Sequence, residues 1–148
     1  MSANVPEALI RRYYAEFAND YSDAHVAAVL GEVLTDDFVF HPPNNVEGYT
    51  GAERHRQWLV WHHRALASQH YEIEDVVATD ERGAARWTLT GTHSEEVLGI
   101  PPARQTVTVT GQDFFRLRGG RIAELWRAFD WRAIDQQVSQ TAAKSVDE

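Results

Sequence analysis

The run TLTGTHSEEVLGIPPARQTVTVTGQDFFRLRGGRIAELWRAFD, from Thr88 to Asp130, constrains this chain most. It reads as three consecutive antiparallel strands, joined by a proline-stiffened loop and a tight Gly-Gly turn. Strands alternate faces with a period of two, so Trp87, Leu89, Gly91 and His93 share one side and Arg86, Thr88, Thr90 and Thr92 the other. In the next strand Val107, Val109, Gly111, Asp113 and Phe115 oppose Thr106, Thr108, Thr110 and Gln112. Asp113 therefore projects with the apolar set. An ionised carboxylate is costly to bury alone, so it must be paired, protonated or beside a wet cavity.

The same stretch resembles the C-terminal signature of the SnoaL-like polyketide cyclases, in the nuclear-transport-factor-2-like superfamily. The shared features are GTH, a LGIPP loop, a strand carrying an Asp, an xGGRI turn, and a Trp followed by FD. Upstream, LTDDFVFHPP and an amphipathic helix after Gly51 fit in order and spacing. The resemblance implies an α+β fold: a cone-shaped, curved antiparallel β-sheet, or α+β barrel, wrapped by N-terminal helices around one internal pocket. It also implies an acid/base aspartate working with a nearby histidine, Asp113 and His93 here, a pocket lined by Trp126, and a homodimer.

With 148 residues the chain suits a single domain over 1–148, with flexible tails expected at about 1–5 and 140–148. A net charge of −8 argues against nucleic acid and against an anionic membrane as partner, since both need clustered cations. No cysteine is present, which removes disulfides, thiolate metal sites and a cysteine nucleophile. Lys144, in the polar tail, is the only lysine, so a buried Schiff-base lysine is excluded too. No apolar run approaches a membrane span and the start lacks the order of a signal peptide, so a cytoplasmic location is the expectation.

Along the chain, Pro6 opens a helix whose face carries Leu9, Ile10, Tyr13, Tyr14 and Phe17. Tyr13 or Tyr14 could turn a hydroxyl into a pocket or simply pack in the core. Ser22 or Asp23 can cap a second helix, which Gly31 is expected to end. His41 closes a strand stopped by Pro42 and Pro43, as a pocket residue or a solvated strand end. In the next helix Trp58, Leu59, Trp61, His62, Ala65 and Leu66 form one apolar stripe. Its histidines, His55, His62 and His63, lack an HExxH pattern and a carboxylate at ligand spacing, so no metal is expected. His62 is a satisfied core histidine or part of a pocket wall. The LGIPP loop, with Ile100, could lie over the cavity mouth, and Asp130 is read first as the cap of a closing helix. The last strand is apolar on both faces, so the pattern leaves its inward side open.

Ring closure by carbon–carbon bond formation needs a base next to a carbonyl, a group to hold enolate charge, and an acid. Asp113 and His93 can supply these without a cofactor, and none is expected. Trp87, Trp126, Phe115, Trp58, His62, Tyr14, His41 and Ile100 are the candidate walls for a flat, hydrophobic small molecule. A cyclase or isomerase acting on a polyketide-like intermediate by aldol-type closure is the first reading. Epoxide opening or polyether cyclisation is the enzymatic alternative. The resemblance extends to epoxide-opening proteins of the same superfamily, in which two aspartates and an arginine position a water; Asp113 and Asp130 are available here, but the sequence shows no arginine clearly aimed between them, and an inward-facing one would restore that reading. A non-catalytic ligand-binding or scaffold protein is the second class, and it predicts an Asp113 locked by several donors. An accessory role in oxygenation is a third.

Overall fold

A computed structural model describes residues 4–44, 46–96, 101–130, 132–134 and 136–137. Helix α1 (Asn4–Tyr13) runs into a π-turn (Tyr14–Ala18), and α2 (Asp23–Val33) follows. Then come β1 (Leu34–His41), β2 (Tyr49–Thr50), α3 (Ala52–Ala65), β3 (Leu66–Ala78), β4 (Arg82–His93), β5 (Thr106–Arg118) and β6 (Arg121–Ala128). The six strands make one curved, unclosed sheet in the order β2-β1-β6-β5-β4-β3. Its pairs are antiparallel except β1 with β6, which run parallel.

The alternation expected of a half-buried sheet is complete in β5, where Val107, Val109, Gly111, Asp113, Phe115 and Leu117 are buried and their neighbours exposed. Gly119 and Gly120 turn the chain into β6 at φ +59° and +76°, the left-handed pair a two-residue hairpin needs. Gly111 is required for a different reason. A Cβ there would lie 2.5 Å from the Trp87 ring and 2.8 Å from the Ala128 carbonyl, so its bare backbone leaves room for the indole inside the sheet.

The helices close the concave face. Ile10, Tyr13, Tyr14 and Phe17 are buried from α1 and the π-turn, and Leu59, His55 and His62 from α3. Each fully buried large apolar side chain contributes on the order of 1.5–3 kcal/mol of transfer free energy. Ser22 caps α2 by accepting from the His25 amide. Gly31 does not end that helix. It lies exposed within it, and α2 continues to Val33, where the Leu34 amide bonds to the Leu30 carbonyl and β1 begins directly. The first long strand, which the β-prone run places at Tyr71 to Thr79, begins earlier, at Leu66, directly after α3.

Candidate active site

Asp113 and Arg127 are cross-strand partners on β5 and β6, and both turn inward. Arg127 grips the carboxylate with two charge-assisted bonds, Nε to Oδ1 and Nη2 to Oδ2, each 2.9 Å. The Tyr14 hydroxyl donates to Oδ2 at 2.5 Å, and the Trp87 indole Nε1–H donates to the same oxygen at 3.1 Å. The Asp113 side chain is 0% and that of Arg127 2% exposed. Oδ2 thus accepts three bonds and Oδ1 one. A carboxylate offers about four acceptor positions, two on each oxygen, so Oδ1 retains capacity for a further proton donor.

Arg127 is set among rings: its guanidinium carbon lies 5.3–5.8 Å from the centroids of Tyr71, Phe40, Trp87 and Trp58. Burial is the strongest single influence and works against its charge, but the Asp113 carboxylate together with the Tyr71 and Tyr13 phenols outweighs it, so its pKa stands well above the ordinary arginine value. Burial, followed by the negative charge of Asp113, raises the Tyr14 pKa well above that of a free phenol. Tyr14 therefore stays protonated and can only donate to the carboxylate.

A second polar layer surrounds this pair. His55 sits between two phenols, with Nε2 at 2.8 Å from the Tyr13 hydroxyl and Nδ1 at 2.8 Å from that of Tyr49. Burial, then the Arg127 charge, push the His55 pKa well below its ordinary value, so it is neutral. Tyr71, which lies against Arg127, has its pKa raised to about 12, again chiefly by burial. The described residues bring no group of three His, Asp or Glu side chains together as a metal site.

The remaining expected residues divide. Trp87, Tyr14, Trp58 and His62 gather around Asp113 and Arg127. Phe115 packs edge-on against Tyr13 and Tyr14, behind the pair. His41 is half-buried at the end of β1, bonded to Glu124 at 2.6 Å and stacked on Trp126 at 4.9 Å. Ile100 lies outside the described residues. Asp130 accepts from the Arg132 amide at 2.9 Å and is exposed, as a helix cap is, and does not converge on Asp113.

Two expectations require correction. His93 does not meet Asp113: the β4 neighbour of Asp113 is Ala85, and His93 lies eight positions further along that strand (85 to 93), about 26 Å at the usual strand rise. It is buried beside Leu66 at the opposite end of the sheet. Trp126 lies on the outer face, with Phe114 and Arg116 as ring neighbours. The reason is a bulge. A regular ladder from the Arg118–Arg121 pair would set Trp126 opposite Asp113, but an extra residue, Ala123, enters between Leu117↔Ile122 and Arg116↔Glu124. Every later side chain of β6 changes face, and Arg127 takes the inward place. Arg127 is the residue that sequence reasoning misses. The need of a buried Asp113 for a cation is the signal that could have found it.

A cleft of about 910 Å³ is bordered by Arg127 and Trp87, both bonded to Asp113, and by His41, Pro42, Arg86 and Phe129. No helix among the described residues is long and apolar enough to cross a membrane.

A family model described as SnoaL-like polyketide cyclase matches residues 8–138. Among solved structures, a candidate SnoaL-like polyketide cyclase from Jannaschia sp. CCS1 aligns with a TM-score of 0.79 at 20% identity, over 93% of this chain and 94% of that one. IdmH from Streptomyces antibioticus, described as a candidate polyketide cyclase, aligns with a TM-score of 0.71 at 26% identity, over 90% and 98%. AclR from Streptomyces galilaeus, described as a candidate hydroxylase, aligns with a TM-score of 0.72 at 20% identity, over 95% and 83%. Comparison with curated proteins gives no match.

Proposed function

The chain belongs to the SnoaL-like polyketide cyclases, and on that premise we propose that it is a cofactor-free cyclase or isomerase acting on a polyketide-like intermediate, with Asp113 as acid/base and Arg127 as holder of the oxyanion. The observation that carries this reading is the buried Asp113–Arg127 pair, whose Arg127 borders a cleft. A buried ion pair is weak evidence of stabilisation, since apolar replacements of similar volume are often neutral or better, so its presence calls for another cause. Oδ1 of Asp113 removes a proton from carbon between two carbonyls. Arg127, whose Nη1 is not engaged by Asp113, meets the enolate oxygen as charge develops. Tyr14 and Trp87 keep the carboxylate in one orientation throughout. The surrounding rings favour a flat, apolar substrate held folded for ring closure.

Exchange in D2O tests the proton-transfer step without knowledge of the natural substrate. Simple 1,3-diketones and longer poly-β-carbonyl chains should exchange their central protons faster with the protein than in buffer, and Tyr14→Phe should lower that rate at least tenfold. Epoxide opening is a second reading, favoured by one observation, the inward Arg127 on Asp113; Asp130 does not supply the second carboxylate it calls for. Incorporation of 18O from water into a diol, with no carbon-proton exchange, would put that reading first. Absence of both activities, alongside binding of an aromatic ligand, would support the carrier reading, which the four hydrogen bonds on Asp113 also suit.

A further inference from the structure

Two polar side-chain atoms beside Arg127 are buried without a hydrogen-bond partner among the described residues: His62 Nε2 and the Tyr71 hydroxyl. Both residues are 2% exposed. Leaving such a group unsatisfied costs about 1–3 kcal/mol, so each needs a reason.

The protonation of His62 follows from its neighbours. Gln69 Nε2 donates to the Ala18 carbonyl at 2.8 Å, which fixes the amide so that its oxygen faces the imidazole. That oxygen lies 2.5 Å from His62 Nδ1, so Nδ1 carries the proton. Burial, then the positive charge of Arg127, lower the His62 pKa to about 3. Nε2 is therefore a bare lone pair, able to accept and unable to donate.

The backbone is deformed to hold this arrangement. β3 gains an extra residue between its Ala67↔Thr92 and His70↔Thr90 pairs, and Ser68 there adopts φ +55°. Non-glycine residues in that region cost of order 1 kcal/mol or more. The bulge turns Gln69 inward, where among the described residues its side chain bonds His62 and Ala18. Trp58 links the imidazole to the rest of the site, with centroids 4.7 Å from His62 and its ring 5.8 Å from the Arg127 guanidinium carbon.

We infer that His62 is a specificity-determining residue whose Nε2 accepts a hydrogen bond from a hydroxyl of the substrate, an enol or phenol carried on the same flat framework as the carbonyl that Arg127 binds. This rests on the small-molecule reading of the site. It assigns the ligand class as hydroxylated aromatic ketones, because a ketone or ether oxygen at that position would face another lone pair. A site built to receive a hydroxyl discriminates against its methyl ether through both the lost bond and the added bulk.

The test uses a set of acetylnaphthols and their matched methyl ethers, titrated into the full chain with tryptophan fluorescence as readout. The unmutated protein should bind at least one naphthol tenfold or more tightly than its ether. His62→Phe should abolish that preference while leaving affinity for the ether within about threefold, and His62→Gln, which restores an acceptor, should recover part of it. In histidine-15N-labelled protein the Nε2 resonance of His62 should move on binding the naphthol and stay on binding the ether, a change a purely structural imidazole would not show. If His62→Phe fails to fold, that resonance alone decides. Equal binding of naphthol and ether, or an unmoved resonance, overturns the inference and leaves the cyclase reading standing. Binding of neither compound overturns the aromatic-ligand reading and this inference with it.

Discussion

The two ends of the concave face hide their polar groups in opposite ways. Asp113 and His93 are each 1% exposed, on adjacent strands, in the same alternating pattern. Asp113 collects hydrogen bonds from Arg127, Tyr14 and Trp87, whereas the ring nitrogens of His93 reach no partner at full hydrogen-bond geometry among the described residues. The difference lies in charge. A carboxylate cannot be desolvated without donors, so its surroundings are built for it, while an imidazole can shed its proton and remain as a polar ring. Burial lowers the His93 pKa, with the Glu95 backbone partly opposing it. A buried residue in a strand thus reveals its neighbours only when it must stay charged.

The largest effect that would break this contrast is Asp113→Asn. It leaves the Arg127 cation buried without its counter-charge and should cost about 3–5 kcal/mol, a drop of roughly 10 °C in the thermal midpoint. The paired replacement Asp113→Leu with Arg127→Met should recover most of that loss while removing activity. Calorimetry of the three variants checks it, and an unchanged midpoint for the single variant would mean that Arg127 is solvated.

Acidification comes next. His55 and His62 have lowered pKa values in the folded protein, so the unfolded chain binds more protons and stability falls with falling pH. For His62 the loss begins below its ordinary value of 6.5 and ends near 3, at up to about 1.4 kcal/mol per pH unit. Denaturant titrations across that window should show the slope, and His62→Phe should reduce it. Tyr14→Phe, which removes one donor to a charged acceptor, should cost about 1.5–3 kcal/mol. His93→Leu should stay within about 1 kcal/mol of the parent, since it removes a polar ring that has no strong partner to lose. A loss of more than twice that would place a partner on His93 and erase the contrast.

Much of this architecture is readable from residues. The strict Thr alternation places the inner face of β5, the Gly-Gly pair places its hairpin, and Asp113 stands out as a carboxylate among apolar neighbours. The partner of Asp113 is not readable. β6 carries Leu125 and Phe129 on one side of its pattern and Ile122 and Trp126 on the other, and periodicity cannot choose between two apolar faces. The choice is made by Ala123, a small residue with no bulge signature of its own. His93 misleads for a related reason: face is set by parity, but position along the strand is set by register, and nearness in sequence to the LGIPP loop says nothing of distance from Asp113.

The irregular turn of the first helix has a counterpart in the sheet. Tyr14 begins the π-turn, whose closing bond runs from the Asn19 amide to the Tyr14 carbonyl at 2.7 Å; Arg127 follows the Ala123 bulge, and Gln69 follows the one at Ser68. All three side chains flank one-residue irregularities. In genetic terms the site is addressed by codon number more than by codon identity. A three-base insertion between Ala123 and Trp126, with the bulge kept, would add one residue to the protein and set Trp126 in place of Arg127 opposite Asp113, so insertions and deletions are the shortest mutational path by which this scaffold would gain or lose its chemistry.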